Sequence, residues 1–365
     1  MDKLNIGIVG AVGRGGGFIN AINANPNAWV AAMCDVNEDV LRSSAGSLGI
    51  SDVYTDYGDM LDNADLDAVI IGTPMHLHVN QSIEALSRNL HVMSEVTAAV
   101  SIKEAKNLVS ACKSSKAKYM MAENCCYMKP MVIVREMAKA GIFGDTYYAE
   151  GEYFHNGKAL GEITRWRRKW HTGVNGNTYS THNLGPIYQW MDDRVVGVSC
   201  IGSGRHYKDI RGADYELEDT VVMLCRMERG GLVELRLDLL SNRPYSIFMR
   251  LHGTKGCYES ARTPDESPRI CLESVENAEK WIPLAEFEDE FLPCEWRDLP
   301  ESAVQSGHDG SDYMVVTDFI NCIIEDCKPS IGIHEAMDMT LPGLVSQQSI
   351  INDSEWLEVP NSREW

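Results

Sequence analysis

Short apolar segments alternate with amphipathic helical patterns in the N-terminal part of the chain. The apolar segments predict buried strands, because they are too short for buried helices and end at turn residues. The predicted strands are Leu4–Val9, Trp29–Cys34, Ala68–Ile71, Leu90–Met93 and Tyr119–Ala122, and the helices between them are Glu38–Ser47, Val79–Ser87 and Ile102–Ser115. This alternation predicts a parallel sheet with helices on its faces, in an α/β domain over residues 1–124.

After residue 124 the pattern changes to successive strands with few helices between them. A helix is predicted at Met131–Ala140, and two more near the C-terminus at Asp312–Ile324 and Glu335–Ile351. The predicted strands are Thr146–Phe154, Val195–Ser203, Thr220–Met227, Gly231–Leu239, Tyr245–Gly253 and Gly256–Ser260. We therefore expect a second, α+β domain over residues 125–365, with a mostly antiparallel sheet and C-terminal helices.

The composition of the chain disfavours some classes of binding partner and indicates a cellular compartment. The chain has 53 acidic and 33 basic residues and a formal net charge of −20, which disfavours nucleic acid and anionic membrane surfaces. No apolar run approaches the roughly 20 residues of a membrane span, and the first strand begins without a signal-peptide pattern. The eleven cysteines lack zinc-site spacing and are expected as free thiols, so we predict a cytoplasmic protein.

A glycine-rich turn follows the first predicted strand. Gly10, Gly13, Arg14 and Gly15 lie where backbone N–H groups can approach a pyrophosphate at a helix N-terminus. Asp35 ends the second strand, 20 positions after Gly15, where a carboxylate binds the ribose 2′-hydroxyl and repels a 2′-phosphate. The spacing departs from the strict fingerprint because position 12 is valine, and a simple glycine turn is the alternative. We predict an NAD site.

Other candidates for the cofactor pocket follow later strands, since ligands bind beyond the carboxyl ends of parallel strands. Thr73, Met75 and His78 follow the third predicted strand, and Glu95 and Val96 follow the fourth. Two nearby histidines lack a third ligand, so no metal site is predicted. A histidine that lines the cofactor pocket is the preferred interpretation.

The segments GIVGAVGRG, CDV, TPMHLH, SEV and AENCCY occur in the order found in one superfamily. The chain resembles the glucose–fructose oxidoreductase/inositol dehydrogenase (Gfo/Idh/MocA) superfamily. The resemblance implies that a Rossmann domain is joined to a domain with an open-faced sheet. It also implies that Arg14 and Asn124 belong to the cofactor site, and that the chain forms a homo-oligomer through the C-terminal sheet.

One departure indicates a narrower branch. Dehydrogenases of the superfamily carry E-K-P where this chain has Glu95-Val96-Thr97, so their proton-transferring lysine is missing. The E-V pair resembles the NAD-dependent glycosidases typified by family-109 α-N-acetylgalactosaminidases, a group with relatives that act on sulfoquinovosides. Further segments resemble the same branch: GEYFH at 151–155, WR at 166–167, GNTYSTHNLGP at 176–186, RPYS at 243–246 and GTKG at 253–256.

The resemblance implies a redox route to glycoside hydrolysis. NAD oxidises C3 of the sugar, a base removes the acidified C2 proton, the aglycone leaves C1, water adds, and the ketone is reduced again. It assigns the C3 hydroxyl proton to His182 and proton transfer at C2 or the leaving group to Tyr179. Tyr153, Arg167 and Tyr245 would hold the substrate. A packed aromatic cluster is the alternative interpretation of these rings.

Two features keep other hypotheses open. Ser180 and Asn183 replace the branch's usual proline and glycine, so an NAD-dependent sugar or polyol oxidoreductase that releases a keto-sugar is the main alternative. An NAD(H)-responsive binding protein is a third hypothesis.

Arg168 and Lys169 extend the basic run that begins at Arg167, which raises the hypothesis of an anionic group on the glycoside.

Overall fold

The computed structural model describes residues 3–263, 265–273, 280–297, 299–304 and 306–365. The chain forms two compact units. The first consists of Met1–Met128, Asp298–Met337 and Ser362–Trp365, and the second of Lys129–Arg297 and Asp338–Asn361. The sequence-based boundary after residue 124 stays a prediction.

The first unit contains a parallel sheet of six strands in the order β3-β2-β1-β4-β5-β6, the arrangement of a Rossmann fold. Its strands are β1 (Leu4–Val9), β2 (Ala28–Cys34), β3 (Asp52–Tyr54), β4 (Ala68–Ile71), β5 (His91–Glu95) and β6 (Tyr119–Ala122). Its N-terminal helices are α1 (Ile19–Ala24), α2 (Glu38–Leu48), α3 (Tyr57–Asn63), α4 (His78–Ser87) and α5 (Ile102–Ser114). The α/β prediction is confirmed.

Side chains at the helix N-termini explain where these helices begin. Asp56 accepts a hydrogen bond from the Asp59 N–H at 3.0 Å, and Ser101 accepts one from the Glu104 N–H at 3.2 Å. Each bond satisfies an amide that the first helical turn leaves unpaired. All four residues of β4 are buried, as expected for a central strand covered on both faces.

Among its described residues, the second unit contains a sheet of nine strands in the order β14-β13-β12-β11-β7-β10-β9-β8-β15, in which the β7–β10 pair is parallel and the other described pairs are antiparallel. Its strands are β7 (Thr146–Phe154), β8 (Val195–Gly202), β9 (Thr220–Met227), β10 (Leu232–Asp238), β11 (Ser246–Gly253), β12 (Gly256–Glu259), β13 (Arg269–Leu272), β14 (Ile282–Pro283) and β15 (Leu357–Glu358). Its helices before residue 298 are α6 (Lys129–Lys139), α7 (Lys158–Ile163), α8 (Arg165–Trp170), α9 (Ser180–Met191), α10 (Glu288–Phe291) and α11 (Cys294–Arg297). The mostly antiparallel sheet is confirmed.

Three helices follow near the C-terminus. They are α12 (Glu301–Val304), α13 (Ser311–Ile324) and α14 (Ile333–Ile351). Helices α12 and α13 belong to the first unit, although they follow the second unit along the chain. None of the eleven cysteines, all of which the structure describes, forms a disulfide. Within the described residues, no helix combines the length and the hydropathy that a membrane crossing requires.

Helix α9 packs directly on the sheet of the second unit. A side-chain carbon at Gly151 in β7 would lie 2.2 Å from the Asn183 carbonyl oxygen, so only glycine permits this approach. The Trp190 indole N–H donates to the Met131 carbonyl at 2.9 Å, which ties the helix to α6. The strand and the helix are thereby held at a fixed separation.

Candidate functional site

The glycine-rich turn of the first unit leaves no room for side chains at Gly10 and Gly15. Gly10 has a φ of +75°, and a side-chain carbon there would lie 2.7 Å from the Gly72 carbonyl oxygen. A carbon at Gly15 would lie 2.6 Å from the Val9 carbonyl oxygen. Gly13, by contrast, has open space around it, with no atom nearer than 3.7 Å. This cradle, at the carboxyl ends of β1 and β4, fits the pyrophosphate of a dinucleotide.

Asp35 lies at the end of β2 beside this turn. One carboxylate oxygen accepts from the Val12 N–H at 3.0 Å, and the other accepts from the Asn37 N–H at 3.0 Å. The valine that breaks the strict glycine spacing thus contributes its backbone amide to the position of Asp35. A fixed carboxylate here suits a ribose hydroxyl.

The remaining predicted cofactor residues lie at the same edge of the parallel sheet. Thr73 and Met75 follow β4, Glu95 and Val96 stand at the end of β5, and Asn124 follows β6. Their common placement follows from the parallel strand order, because all carboxyl ends meet at one edge.

His78 is the predicted pocket residue that the structure explains most fully. Its Nδ1 lies 3.0 Å from the Thr97 carbonyl oxygen and its Nε2 lies 2.8 Å from the Thr73 carbonyl oxygen. The ring is buried, and burial lowers the pKa of His78. His78 therefore joins the loops that follow β4 and β5.

Arg14 and Glu95, which belong to two separate motifs of the sequence, form an ion pair in the structure. The Arg14 Nε donates to a Glu95 carboxylate oxygen at 2.7 Å, and the other Glu95 oxygen accepts from the Val96 N–H at 3.1 Å. Glu95 thus links the glycine-rich turn to the end of β5. The residues present in this unit fit NAD.

In the second unit, three predicted residues form a compact ring cluster. The ring centroids of Tyr179 and His182 are 4.6 Å apart, those of Tyr153 and His182 are 4.8 Å apart, and those of Tyr153 and Tyr179 are 5.8 Å apart. Tyr179 immediately precedes α9 and His182 lies in its first turn, while Tyr153 lies near the end of β7. The approach permitted by Gly151 brings strand and helix together here.

Tyr245 extends the cluster. Its ring centroid lies 6.0 Å from that of Tyr153, and its side chain is 55% exposed. The structure thus places the four predicted rings side by side, with Tyr153 and His182 buried, Tyr179 half-buried and Tyr245 at the surface.

Two histidines that were absent from the predicted set join the cluster. The His155 ring lies 5.5 Å from Tyr245 and the His171 ring lies 4.8 Å from Tyr179. Burial, together with the charges of His182 and Arg167, lowers the pKa of His155. Burial and the Arg167 charge lower the pKa of His171 to about 3. The GEYFH segment signalled His155, because it lies two positions after Tyr153, whereas no pattern signals His171.

The three basic residues of α8 have different surroundings. The Arg167 guanidinium donates to the Thr164 hydroxyl at 2.6 Å and lies over the Trp166 ring. The Arg168 guanidinium lies over the Tyr215 ring, donates to the Asp214 carbonyl at 2.7 Å and is 3.7 Å from an Asp209 carboxylate oxygen. Lys169 is exposed over Trp170. The run is therefore not a single cationic patch.

Ser180 and Asn183, the two departures from the branch's pattern, are buried in α9. The Ser180 hydroxyl donates to the Met339 carbonyl at 2.9 Å, and the Asn183 amide donates to the Arg236 carbonyl at 3.0 Å. Both polar side chains are used to anchor the helix that carries His182.

Comparison with known families covers both parts of the chain. Residues 4–123 match the model described as "Oxidoreductase family, NAD-binding Rossmann fold". Residues 127–364, more than half of the chain, match the model described as "Glycosyl hydrolase 109, C-terminal domain". These matches confirm the superfamily and the branch expected from the sequence.

Similar proteins agree with these matches. A glycosyl hydrolase family 109 protein from Solibacter usitatus is 29% identical over 98% of this chain and 88% of its own length. An oxidoreductase domain protein from Kribbella flavida has a TM-score of 0.83 at 19% identity, over 99% of this chain and 100% of that one. A Bordetella pertussis dehydrogenase, solved with NADH and UDP-GlcNAcA, has a TM-score of 0.75 at 21% identity, over 98% and 99%. The chain therefore belongs to the glycosyl hydrolase 109 family, as an enzyme of oxidoreductase-type fold with an NAD-binding Rossmann domain.

Proposed function

We propose that this protein is an NAD-dependent glycoside hydrolase that works by transient oxidation at C3 of its sugar. The observation that carries the proposal is the cluster of Tyr153, Tyr179 and His182, with ring centroids 4.6–5.8 Å apart. When bound, NAD supplies a reversible two-electron oxidation at C3. The chain's own groups then handle the protons at C3, at C2 and at the leaving oxygen.

His182 and Tyr179 are assigned complementary proton transfers. His182 takes the proton of the C3 hydroxyl as the ketone forms, and returns it when the ketone is reduced. Tyr179 takes the proton from C2 and passes it to the leaving oxygen as the C1–O bond breaks. It then takes a proton from the water that adds to C1 and delivers that proton to C2. Positioned acids and bases of this kind accelerate such steps by factors of roughly 10² to 10⁴ each. The two rings are close enough to serve adjacent carbons of one sugar.

The side chain at position 96 supports this assignment. Superfamily dehydrogenases place a proton-transferring lysine there, whereas this chain has Val96, which is buried and carries no titratable group. The proton transfers must therefore come from other side chains. We assign them to the ring cluster, and we assign Tyr153, Arg167 and Tyr245 to holding the sugar.

An anionic substituent on the sugar is a second, narrower proposal. Arginine binds carboxylate or sulfonate through paired hydrogen bonds, and Arg167 lies near enough to affect the pKa of His155 and His171. The aspartates beside Arg168 supply a competing explanation for that residue. Catalytic efficiency on a neutral glucoside and on its C6-sulfonate counterpart tests the proposal. A preference for the neutral sugar would contradict it.

Pairing of two copies through the large sheet is also proposed. Ile201 in β8 is 60% exposed and Leu232 in β10 is 40% exposed, although both lie in strands. Light scattering coupled to size-exclusion chromatography tests this. A dimer mass that an Ile201→Asp variant converts to a monomer mass is expected, and a monomeric wild type would contradict it.

Aryl glycosides incubated with and without NAD test the main proposal. Aglycone release that needs NAD but leaves no net NADH is expected, and Tyr179→Phe and His182→Gln should abolish it. His206→Gln is the matched control, because that histidine is 71% exposed and pairs with Asp219. One NADH per sugar would establish the keto-sugar oxidoreductase instead. NAD binding without turnover on any sugar would favour a binding protein.

A further inference from the structure

A network of four charged or titratable side chains lies within the first unit, and we call it the Arg14 network. The Arg14 guanidinium donates to both oxygens of Asp312, at 2.7 and 2.8 Å, and its Nε donates to Glu95 at 2.7 Å. The His308 Nδ1 lies 3.1 Å from each oxygen of Asp312. Asp312 is only 1% exposed, so its charge is compensated almost wholly by these partners.

The surrounding sequence is shaped to fit this network. A side-chain carbon at Gly307, where φ is +114°, would lie 2.6 Å from an Asp312 oxygen. A side-chain carbon at Gly17 would lie 3.0 Å from an Arg14 terminal nitrogen. The ring of the buried Phe18 lies 4.3 Å from the guanidinium carbon. The network is therefore a built feature and not a chance surface pair.

The charge of the network depends on one residue. Arg14 is a single cation between two carboxylates, so the sum is about −1 when His308 is neutral and about zero when it is protonated. Arg14 directly follows Gly13 in the turn that fits the NAD pyrophosphate, which is itself anionic. We propose that His308 acts through Asp312 and Arg14 as a positioning residue that adjusts NAD affinity, so that NAD binds more tightly when His308 is protonated.

The electrostatics of the network support this role. The hydrogen bond to Asp312 raises the pKa of His308 above its ordinary value, with Glu95 acting in the same direction and burial and Arg14 opposing it. Burial alone would raise the pKa of Asp312, but the hydrogen bonds from Arg14 and His308 lower it below its usual range. Asp312 therefore stays ionised, while its hydrogen bond holds the pKa of His308 above the ordinary histidine value. The inference concerns cofactor affinity and does not depend on the proposed hydrolysis.

Calorimetric titration of the full-length protein with NAD between pH 6 and 9 tests the inference. The wild-type Kd should rise with pH by about tenfold to twentyfold, the effect of one unit charge over roughly 10 Å at an effective dielectric constant of about 20. His308→Gln should bind NAD with a Kd that stays flat over this range. Asp312→Asn should move the pH dependence to lower pH, whatever its absolute Kd, because it removes the carboxylate that raises the pKa of His308.

A control and a second readout make the outcome decisive. His206→Gln, which removes a histidine–carboxylate pair in the second unit, should retain the wild-type pH profile. Repeating the titrations in buffers of different ionisation enthalpy should reveal proton uptake on NAD binding within the range from pH 6 to 9 in the wild type, and none in His308→Gln. A wild-type Kd that is constant from pH 6 to 9, or a His308→Gln variant that keeps the wild-type slope, would overturn the inference.

Discussion

Replacement of Gly151 by alanine should lower the rate of turnover much more than it lowers the stability of the fold, because it displaces the ring cluster. The added carbon would lie 2.2 Å from the Asn183 carbonyl oxygen, where ordinary contacts begin near 3.4 Å. Because the obstacle is main chain, α9 must move away from β7 by about 1 Å, and His182 moves with it. A displacement of about 1 Å costs roughly 10²-fold in rate. Overpacking of this size costs about 1–3 kcal/mol of unfolding free energy.

Steady-state aglycone release at saturating NAD measures the first effect, and urea unfolding measures the second. The NAD Kd should stay at the wild-type value, because the glycine-rich turn belongs to the first unit. Gly161→Ala is the matched control, since a carbon there in α7 meets nothing nearer than 3.9 Å. It should keep wild-type turnover and gain up to about 1 kcal/mol. Wild-type turnover in Gly151→Ala would refute the reasoning that this contact positions His182.

Three further predictions follow from the site. Asp35→Ala should weaken NAD binding and relax the preference over NADP, and an unmodified protein that binds NADP as tightly as NAD in parallel titrations would contradict it. Hydrolysis in heavy water should leave deuterium at C2 of the product sugar, which NMR detects, and absence of C2 exchange would rule out elimination. Because the pKa of His171 is lowered to about 3, the unfolded chain binds a proton there below about pH 6.5 and the folded chain does not. The unfolding free energy should therefore fall by about 2 kcal/mol from this group between pH 7 and pH 5, and a His171→Gln variant that shows the same fall in urea unfolding would disprove the attribution.

The sequence predicted the elements whose burial leaves a clear pattern. Strand β4 is apolar throughout because both its faces are covered, and it was found within its observed bounds. The three-residue strand β3 was missed, since none of its residues is fully buried and no apolar run marks it. Helix α9 was missed as well. It is buried on most sides and contains Pro186, so it lacks the amphipathic period that predicts a helix.

Some residues of the candidate site could likewise be predicted from the sequence, and others could not. Local motifs gave the glycine turn, Asp35 and the Tyr179–His182 pair, because each motif lies within a single element or loop. The Arg14–Asp312 pair joins residues separated by 298 positions. No sequence spacing predicts this pair, because α13 lies far along the chain from Arg14 and joins the first unit only when the chain folds. His171 was missed since a lone histidine carries no periodic signal.

The sign of the charges around the ring cluster distinguishes two routes to glycoside cleavage. Burial lowers the pKa of His155 and of His171, and the guanidinium of Arg167 lowers both in the same direction. Carboxylate glycosidases pass through an oxocarbenium-like transition state, whose positive charge such surroundings would oppose. Removal of the C2 proton beside a C3 ketone instead builds negative charge on the C3 oxygen. A fixed positive charge such as that of Arg167 stabilises this charge as it develops. The charge of Arg167 is therefore compatible with the proposed oxidation and elimination, and it would oppose direct cleavage through an oxocarbenium-like state.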